Sequence, residues 1–111
     1  MKESKFQEKL IKDLKKMFEG CIVLKNDPNY IQGIPDLIVL YKNRWASLEC
    51  KKDKTAKRQP NQEYYVRRMD DMSFSSFIYP ENKEEVLYAL QQTFKSGGKP
   101  RVSGSEQIPL D

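Results

Sequence analysis

Two acidic side chains and a lysine stand at the ends of two apolar runs that a short polar segment separates. Asp36 opens the first run, and Glu49 and Lys51 close the second. Because successive side chains of a strand point to opposite faces, Glu49 and Lys51 share one face and Cys50 points to the other. If the two runs pair as a hairpin, both carboxylates and the ammonium group come together. This set of charges could hold a divalent cation and orient a water molecule.

Such a set suits the hydrolysis of a phosphodiester, whose anionic oxygens repel a nucleophile and whose alkoxide leaves poorly. A bound Mg²⁺ relieves both obstacles. We predict that Asp36 and Glu49 are the metal ligands and that the backbone carbonyl of Cys50 is a third. Lys51 would then lie beside the attacking water, and Gln62 could hold that water or an adjacent phosphate. The Cys50 thiol is not predicted as a nucleophile, because the chain has no His to activate it.

Each of these residues could also have a purely structural role. Asp36 could merely begin a strand after Pro35, and Glu49 and Lys51 could be a solvated pair on an edge strand. The combination of all three with a glycine turn favours the metal site. We expect Gly33 to let the backbone approach closely whatever the aspartate binds.

Hydrophobic periodicity predicts the order helix, strand, strand, strand, helix, strand, helix, which is an α/β domain with a mixed central sheet flanked by helices. Gly20 is expected to end the first helix and Pro60 to begin the second. Asn82 and Glu85 have the spacing of a capping box for the third. The predicted elements are a helix at about 2–18, strands at about 21–24, 36–41 and 45–51, a helix from 60, a strand at 73–79 and a helix from 82.

The domain is predicted to span residues 1–95. The remainder, 96–111, is rich in Gly, Ser, Pro and charge without periodicity, and we predict a flexible tail.

Polar residues fall on the apolar side of the first predicted helix. Glu3 and Gln7 lie on this side at helix spacing, and Glu8 lies outside it. In one interpretation Glu3 frays at the terminus and Gln7 bonds a neighbouring backbone group. In the other, both side chains point at the acidic cluster. The sequence leaves both interpretations open.

A run of cations follows Lys51. By itself such a run is usually a solvated loop. The net charge of +4 is compatible with a polyanionic partner. Directly after a candidate phosphate-cutting site, the run is predicted to hold the DNA backbone. The predicted DNA-binding residues are Lys52, Lys54, Lys57, Arg58, Arg67 and Arg68.

Composition narrows the class of protein. A chain of 111 residues suits one domain. The absence of His removes His-ligated zinc or iron sites. Cys21 and Cys50 are too far apart for a metal-binding spacing, and both sit in apolar runs, so we expect free thiols in a reducing cytosol. No signal peptide or membrane-spanning run occurs, and we expect a cytoplasmic protein with no membrane contact.

The pattern Pro35-Asp36 followed by Glu49-x-Lys51 resembles the motif of PD-(D/E)XK nucleases. The resemblance is closer to the VRR-NUC family within that superfamily. It covers residues 2–94 in the family's order of elements, and the chain is also similar to archaeal Holliday junction resolvases. The matching segments are 2–16 for the opening helix, 33–40 for the Pro-Asp strand, 48–52 for the E-x-K strand and 58–62 for the basic step before a helix that opens with glutamine.

The resemblance implies a restriction-endonuclease-like core, a Mg²⁺ cofactor that Mn²⁺ can replace, and a homodimer. It implies Asp36 and Glu49 as metal ligands, Lys51 as catalytic and Gln62 as an active-site accessory residue. Glu3 and Gln7 are implied as further accessory residues, whereas the resolvase pattern would place Gln7 or Glu8 in its catalytic glutamate position. At Gln59 the chain departs from the small or apolar residue usual in the family.

The expected function is therefore a Mg²⁺-dependent, structure-selective DNA endonuclease that acts on branched or nicked DNA in phage replication, recombination or repair. Short stand-alone domains of this kind resemble bacteriophage members, which act in the cytoplasm of a bacterial host. The alternatives are a nicking or flap nuclease, a catalytically silent DNA-binding subunit, and an adaptor that binds protein through Tyr64, Tyr65, Arg67 and Arg68.

Overall fold

The structure of the protein is a computed structural model that describes residues 2–96. It confirms the predicted element order, with bounds that differ by a residue or two at most ends. The tail predicted at 96–111 lies outside the described residues except for Ser96. The elements are α1 (Glu3–Met17), β1 (Ile22–Lys25), β2 (Leu37–Tyr41), β3 (Arg44–Cys50), α2 (Pro60–Met72), β4 (Phe74–Ile78) and α3 (Lys83–Lys95).

The four strands form one mixed sheet in the order β1-β2-β3-β4. The strands β1, β2 and β3 are antiparallel neighbours, and β4 runs parallel to β3. A parallel neighbour needs a crossover connection, which α2 supplies between β3 and β4. The predicted mixed sheet flanked by helices is confirmed at this level.

The alternation of side chains along β3 divides the sheet into two faces. Ala46, Leu48 and Cys50 are fully buried in the hydrophobic core that α1 and α3 share. Ser47 and Glu49 point the other way, and the Ser47 hydroxyl donates to the Met69 sulfur of α2 at 3.6 Å. We call these two sides the core face and the α2 face. The core is formed by Phe6, Leu10, Leu14, Phe18, Leu37, Val39, Ala46, Leu48, Cys50, Ile78, Val86, Leu87, Leu90 and Phe94.

The start of α3 differs from the prediction. The Asn82 side chain accepts a hydrogen bond from the Tyr79 amide at 2.8 Å and donates to the Phe77 carbonyl at 3.1 Å, and it makes no cap to α3. The predicted capping box with Glu85 is therefore wrong, because the loop before the helix satisfies the asparagine. A capping box occurs instead at α2, where Gln59 and Gln62 each bond the other's backbone amide.

No helix within residues 2–96 is long and apolar enough to cross a membrane.

Gly33 lies where the loop before β2 meets the start of α2. Its φ is +90°, and a Cβ at this position would lie 2.7 Å from the Asn61 side chain. The Asn61 amide also donates to the Gln32 carbonyl at 3.2 Å. The close approach that this glycine permits is therefore to α2, one residue before Gln62.

We expect Gly33→Ala to destabilise the fold more than Gly20→Ala. Gly20 has φ +89°, and a Cβ added there would have no atom within 4 Å. Its substitution therefore costs only the strain of an alanine in the left-handed conformation, about 1–2 kcal/mol. Gly33→Ala adds the clash with Asn61, about 1–3 kcal/mol more. Denaturant unfolding of both variants measures the difference. Equal losses would mean that Asn61 moves aside at no cost.

Candidate active site

The β2–β3 hairpin brings the two predicted acids together. Leu37 pairs with Leu48 in the antiparallel register, and Asp36 and Glu49 are the next residues outward on each strand. One carboxylate oxygen of Asp36 accepts a hydrogen bond from the Cys50 backbone amide at 3.0 Å. This bond fixes the start of β2 to the end of β3. The tight turn and the strand lengths thus set the position of both acids.

Glu49, Lys51 and Gln62 form one hydrogen-bonded group beside Asp36. The Lys51 ammonium donates to Gln62 Oε1 at 2.9 Å and lies 3.9 Å from Glu49 Oε2. The Gln62 amide nitrogen donates to the same Glu49 oxygen at 3.2 Å. Glu49 is 3% exposed and Lys51 is 8% exposed, so the acid and the ammonium group face each other away from bulk water. The structure therefore brings together all four residues that the sequence predicted for catalysis.

The cap of α2 holds Gln62 in this group. Gln62 Oε1 accepts a hydrogen bond from the Gln59 amide at 2.9 Å as well as from Lys51. One glutamine side chain thus caps the helix and bonds both Lys51 and Glu49. In the sequence, Gln59 stands out only as a departure from the family pattern. The signal that could have identified its role is the spacing of Gln59 and Gln62, which is that of a capping box.

The second carboxylate oxygen of Glu49 is buried and has no hydrogen-bond partner among residues 2–96. A buried acceptor without a partner is costly, and in native proteins such an atom often binds an ion or an ordered water. Burial raises the pKa of Glu49 to about 8, the negative charges of Asp36 and Glu3 also raise it, and Lys51 opposes them. The group is therefore short of positive charge.

The pKa values of the two carboxyl groups near Glu49 are raised as well. Burial raises the pKa of Asp36 above its ordinary value, and the Cys50 amide and Lys51 only partly oppose this effect. Burial also raises the pKa of Glu3, followed by the charge of Asp36, with Lys51 and Lys52 acting against it. Glu3 on the first turn of α1 is thus close enough to the cluster to respond to its charges. A cation among these carboxylates would offset their mutual repulsion.

The other polar residues of α1 are placed differently. Gln7 is half-buried and lies near the Cys50 thiol, whose pKa it lowers, so it faces β3 on the core face. Glu8 is exposed in a surface groove with Lys5, Lys9 and Lys12. Glu3 is exposed on the first turn of α1, near enough to Asp36 and Glu49 for their charges to affect one another, and Gln7 faces the strand that carries Glu49. Burial raises the pKa of the Cys50 thiol, which agrees with excluding it as a nucleophile.

The donor set determines whether a metal fits. Within residues 2–96, no group of three or more His, Cys, Asp and Glu side chains is arranged to hold a metal ion. Mg²⁺ commonly takes only one or two carboxylates and keeps several waters. Asp36 and the unpartnered oxygen of Glu49 supply two such hard oxygens. The residues therefore fit Mg²⁺, and the Cys50 carbonyl stays a predicted third ligand.

The predicted DNA-binding residues divide into two groups. Lys52, Lys54, Lys57 and Arg58 are exposed on the loop that leads from Lys51 to α2. Asp53 orders this loop by accepting from the amide and hydroxyl of Thr55, at 2.8 and 2.7 Å. The Arg58 guanidinium lies 4.1 Å above the Phe77 ring.

Arg67 and Arg68 line a separate groove on the outer side of α2. This groove has a volume of about 450 Å³ and also contains Glu63 and Asp71. Two acids beside two arginines reduce the local positive potential. The loop 52–58 is therefore the better candidate for a phosphate contact next to the acids.

Comparisons of this chain with family models, with curated proteins and with solved structures found no match.

Proposed function

We propose that this protein is a Mg²⁺-dependent, structure-selective DNA endonuclease with a restriction-endonuclease-like core of the VRR-NUC type. The observation that carries the proposal is the group of half-buried Asp36 with buried Glu49 and Lys51, in which one Glu49 oxygen has no hydrogen-bond partner among the described residues. The resemblance of the sequence to PD-(D/E)XK nucleases gives this group its expected chemistry. We further propose that the enzyme acts as a homodimer in the cytoplasm, in a bacterial host if the chain is phage-encoded.

Asp36 and Glu49 would hold the cation, with Glu3 adding negative charge at longer range. When bound there, Mg²⁺ supplies Lewis acidity, which polarises a phosphoryl oxygen and lowers the pKa of water. Mn²⁺ offers the same coordination to hard oxygen ligands. The hydrogen bond from Gln62 occupies Glu49 Oε2 and leaves Oε1 for the metal.

Lys51 is positioned for an anionic group. Its ammonium is fixed by Gln62 and lies within 4 Å of Glu49, so little reorganisation is needed when a phosphate arrives. A preorganised charge in a desolvated site stabilises charge that develops in the transition state. The lysines of loop 52–58 would contact flanking phosphates, which set the position of the DNA without reading its sequence.

Cleavage by the wild-type protein tests the proposal. Supercoiled plasmid and a four-way junction are incubated with Mg²⁺, Mn²⁺ or EDTA, and products are resolved by electrophoresis. We expect cutting with either metal, none with EDTA, and a preference for the junction. Asp36→Ala purified in the same way excludes a contaminating nuclease. A second readout is the melting temperature, which Mg²⁺ should raise in wild type and not in Asp36→Ala.

The contrary results are distinct. DNA binding with no cutting under any divalent salt would identify a catalytically silent DNA-binding subunit. Cutting of nicked or flap substrates with no action on junctions would identify a nicking or flap nuclease. Equal cutting by wild type and Asp36→Ala would show that the ligand assignment is wrong.

A further inference from the structure

The connection between β1 and β2 is longer than the sheet requires. It runs from Asn26 to Asp36, eleven residues, whereas only Lys42 and Asn43 join β2 to β3. Loops of β-hairpins commonly have about two to five residues, and longer ordered loops often carry a function. This connection ends on Asp36, one of the two acids of the candidate site. We call residues 26–36 the β1–β2 loop.

Hydrogen bonds fix the β1–β2 loop beside the candidate site. The Asn26 amide donates to the Asp36 carbonyl at 2.8 Å, and the Asn26 side chain donates to the Pro35 carbonyl at 2.8 Å, so the two ends of the loop meet. The Asn61 side chain donates to the Gln32 carbonyl at 3.2 Å. The loop is therefore held both at the start of β2 and at the first turn of α2.

A turn within the loop holds the backbone of Tyr30. The Asp27 side chain accepts from the Asn29 amide at 2.8 Å, and the Asp27 carbonyl accepts from the Tyr30 amide at 3.1 Å. Pro28 occupies the second position of this turn, where proline is favoured. The Tyr30 side chain is nevertheless 85% exposed, the highest value for a large apolar side chain in residues 2–96. An ordered backbone therefore holds an aromatic ring in water.

The location of Tyr30 distinguishes it from other exposed tyrosines. A single exposed aromatic side chain is common on protein surfaces and needs no explanation. Tyr64 and Tyr88 are such cases, and both lie on helices. Tyr30 instead belongs to a loop that is bonded to the backbone of Asp36. Its ring is therefore held near the residues proposed to bind the metal and the phosphate.

The strand order places the β1–β2 loop and the cationic loop 52–58 on either side of the acids. The first loop leaves β1 at the edge of the sheet, and the second leaves β3 toward α2. Asp36 and Glu49 lie between them, at the start of β2 and the end of β3. A DNA strand with a phosphate at the acids would meet exposed lysines on one side and Tyr30 on the other.

The chemistry of an uncharged ring selects bases over phosphates. Phosphates are bound by cations and polar groups, whereas an aromatic face stacks on a nucleobase of any sequence. In a continuous duplex, both faces of each base are already covered by its neighbours. Taking a base out of the stack costs free energy, and this cost is smallest for a base that is already unpaired. A fixed ring beside the site therefore favours DNA with an unpaired base.

We propose that Tyr30 stacks on an unpaired base next to the phosphate that Asp36 and Glu49 bind, and so selects branched DNA over continuous duplex. The inference rests on the proposed function, because it takes DNA as the substrate, and it names the feature of the DNA that the site recognises. The ring contributes to binding and takes no part in breaking the phosphodiester. Tyr30 is thus a residue that determines specificity.

The fluorescence of 2-aminopurine tests the stacking, because a stacked aromatic ring quenches this base analogue. Forked DNA carries the analogue at the first, second or third unpaired position, and Ca²⁺ replaces Mg²⁺ while gels verify that the DNA stays intact. We expect wild type to quench at one of these positions and Tyr30→Ala at none. The dissociation constant of Tyr30→Ala for forked DNA should rise about 5- to 150-fold, and that for a duplex of the same sequence should not change.

Two further variants serve as controls. Tyr30→Phe keeps the ring and should bind and quench as wild type does. Tyr88→Ala removes a tyrosine that is 65% exposed on α3 and should leave both dissociation constants at the wild-type values. Unfolding curves verify that each variant folds, which we expect because the turn bonds Tyr30 through its backbone amide.

The contrary results separate this proposal from the proposed function. Tyr30→Ala that binds forked DNA as tightly as wild type overturns the stacking proposal, as does an equal loss for forked and duplex DNA. Equal losses in Tyr30→Ala and Tyr30→Phe also overturn it, since the second variant retains the ring. A wild type that binds no DNA overturns both proposals. Quenching that depends on Tyr30, with no cleavage in Mg²⁺ or Mn²⁺, counts against the proposed function alone.

Discussion

Glu49→Gln is expected to stabilise the metal-free protein at pH 8 and to remove the proposed cleavage of DNA. The glutamate is 3% exposed, its pKa is raised to about 8 by burial first and by the charge of Asp36 second, and one of its oxygens has no partner in residues 2–96. Glutamine has the same shape and no charge. Its carbonyl can accept from Gln62, and its amide can donate toward Asp36. The substitution therefore relieves repulsion and removes a proposed metal ligand.

The sign of the pH dependence follows from the raised pKa. The unfolded chain releases the Glu49 proton near pH 4.5, whereas the folded chain keeps it until about pH 8. The contribution of Glu49 to folding stability is thus fully present below about pH 4.5 and is lost as the pH rises to about 8. Asp36 and Glu3 have pKa values raised in the same direction and contribute with the same sign.

We expect the stability of wild type in EDTA to fall between pH 5 and pH 8, and that of Glu49→Gln to fall less. At pH 8 the free energy of unfolding of the variant should exceed that of wild type by about 2 kcal/mol, which raises Tm by roughly 10 °C. Mg²⁺ should raise Tm of wild type more at pH 8 than at pH 6, because it competes with the proton on Glu49. Denaturant unfolding across this range measures these changes.

Cleavage by Glu49→Gln should fall by a factor on the order of 10³, since a neutral amide is a poor substitute for a carboxylate ligand. Glu85→Gln is the matched control, because it makes the same change at an exposed position of α3 and should match wild type in both properties. A variant with the pH profile of wild type would show that Glu49 is ionised in the folded state. Retained cleavage would remove it from the metal site.

The sequence predicts the element order and the pairing of β2 with β3, because both depend on local signals. Two apolar runs on either side of the turn near Lys42, which has φ +56°, define the hairpin. The hairpin alone is sufficient to bring Asp36 and Glu49 together. The juxtaposition at the centre of the site could therefore be predicted without knowledge of the tertiary fold.

Contacts between distant segments cannot be predicted in the same way. The sequence suggests that Gly33 approaches a ligand, whereas its close neighbour is Asn61, 28 residues further along the chain. The sequence also predicts Arg58 as a DNA-binding residue and does not reveal that its guanidinium lies above Phe77 of β4. Each of these contacts depends on how α2 docks on the sheet, which no local pattern encodes.

The raised pKa of Glu49 is a further property that only the assembled fold provides. It requires burial by α2 together with the charges of Asp36 and Glu3, which come from three different elements. A sequence motif identifies the acid and does not reveal its protonation state. The same holds for the exposure of Ile22, Leu24 and Leu40, because periodicity predicts that β1 and β2 are strands but not that a helix covers only one of their faces.

Lys51→Ala is expected to lower kcat by about 10²–10³-fold, whereas Lys52→Ala should mainly weaken binding. Lys51 is buried, bonds Gln62 and lies 3.9 Å from Glu49, so its charge acts where the phosphate would react. Lys52 is the next residue, carries the same charge and is exposed. As a phosphate contact it should raise KM a few-fold and reduce the salt dependence of binding by about one unit of slope.

The loss in Lys51→Ala has two possible physical origins that pH separates. Lys51 lowers the pKa of Glu49, so its removal favours the protonated acid and weakens metal binding indirectly. If the loss is indirect, activity should return as the pH rises to 9 and Glu49 ionises, and added Mg²⁺ should shift this return to lower pH. A direct role at the reacting phosphate should persist at saturating Mg²⁺ and pH 9. We expect the persistent loss, and full recovery at high pH would reassign Lys51 as a residue that only sets the ionisation of Glu49.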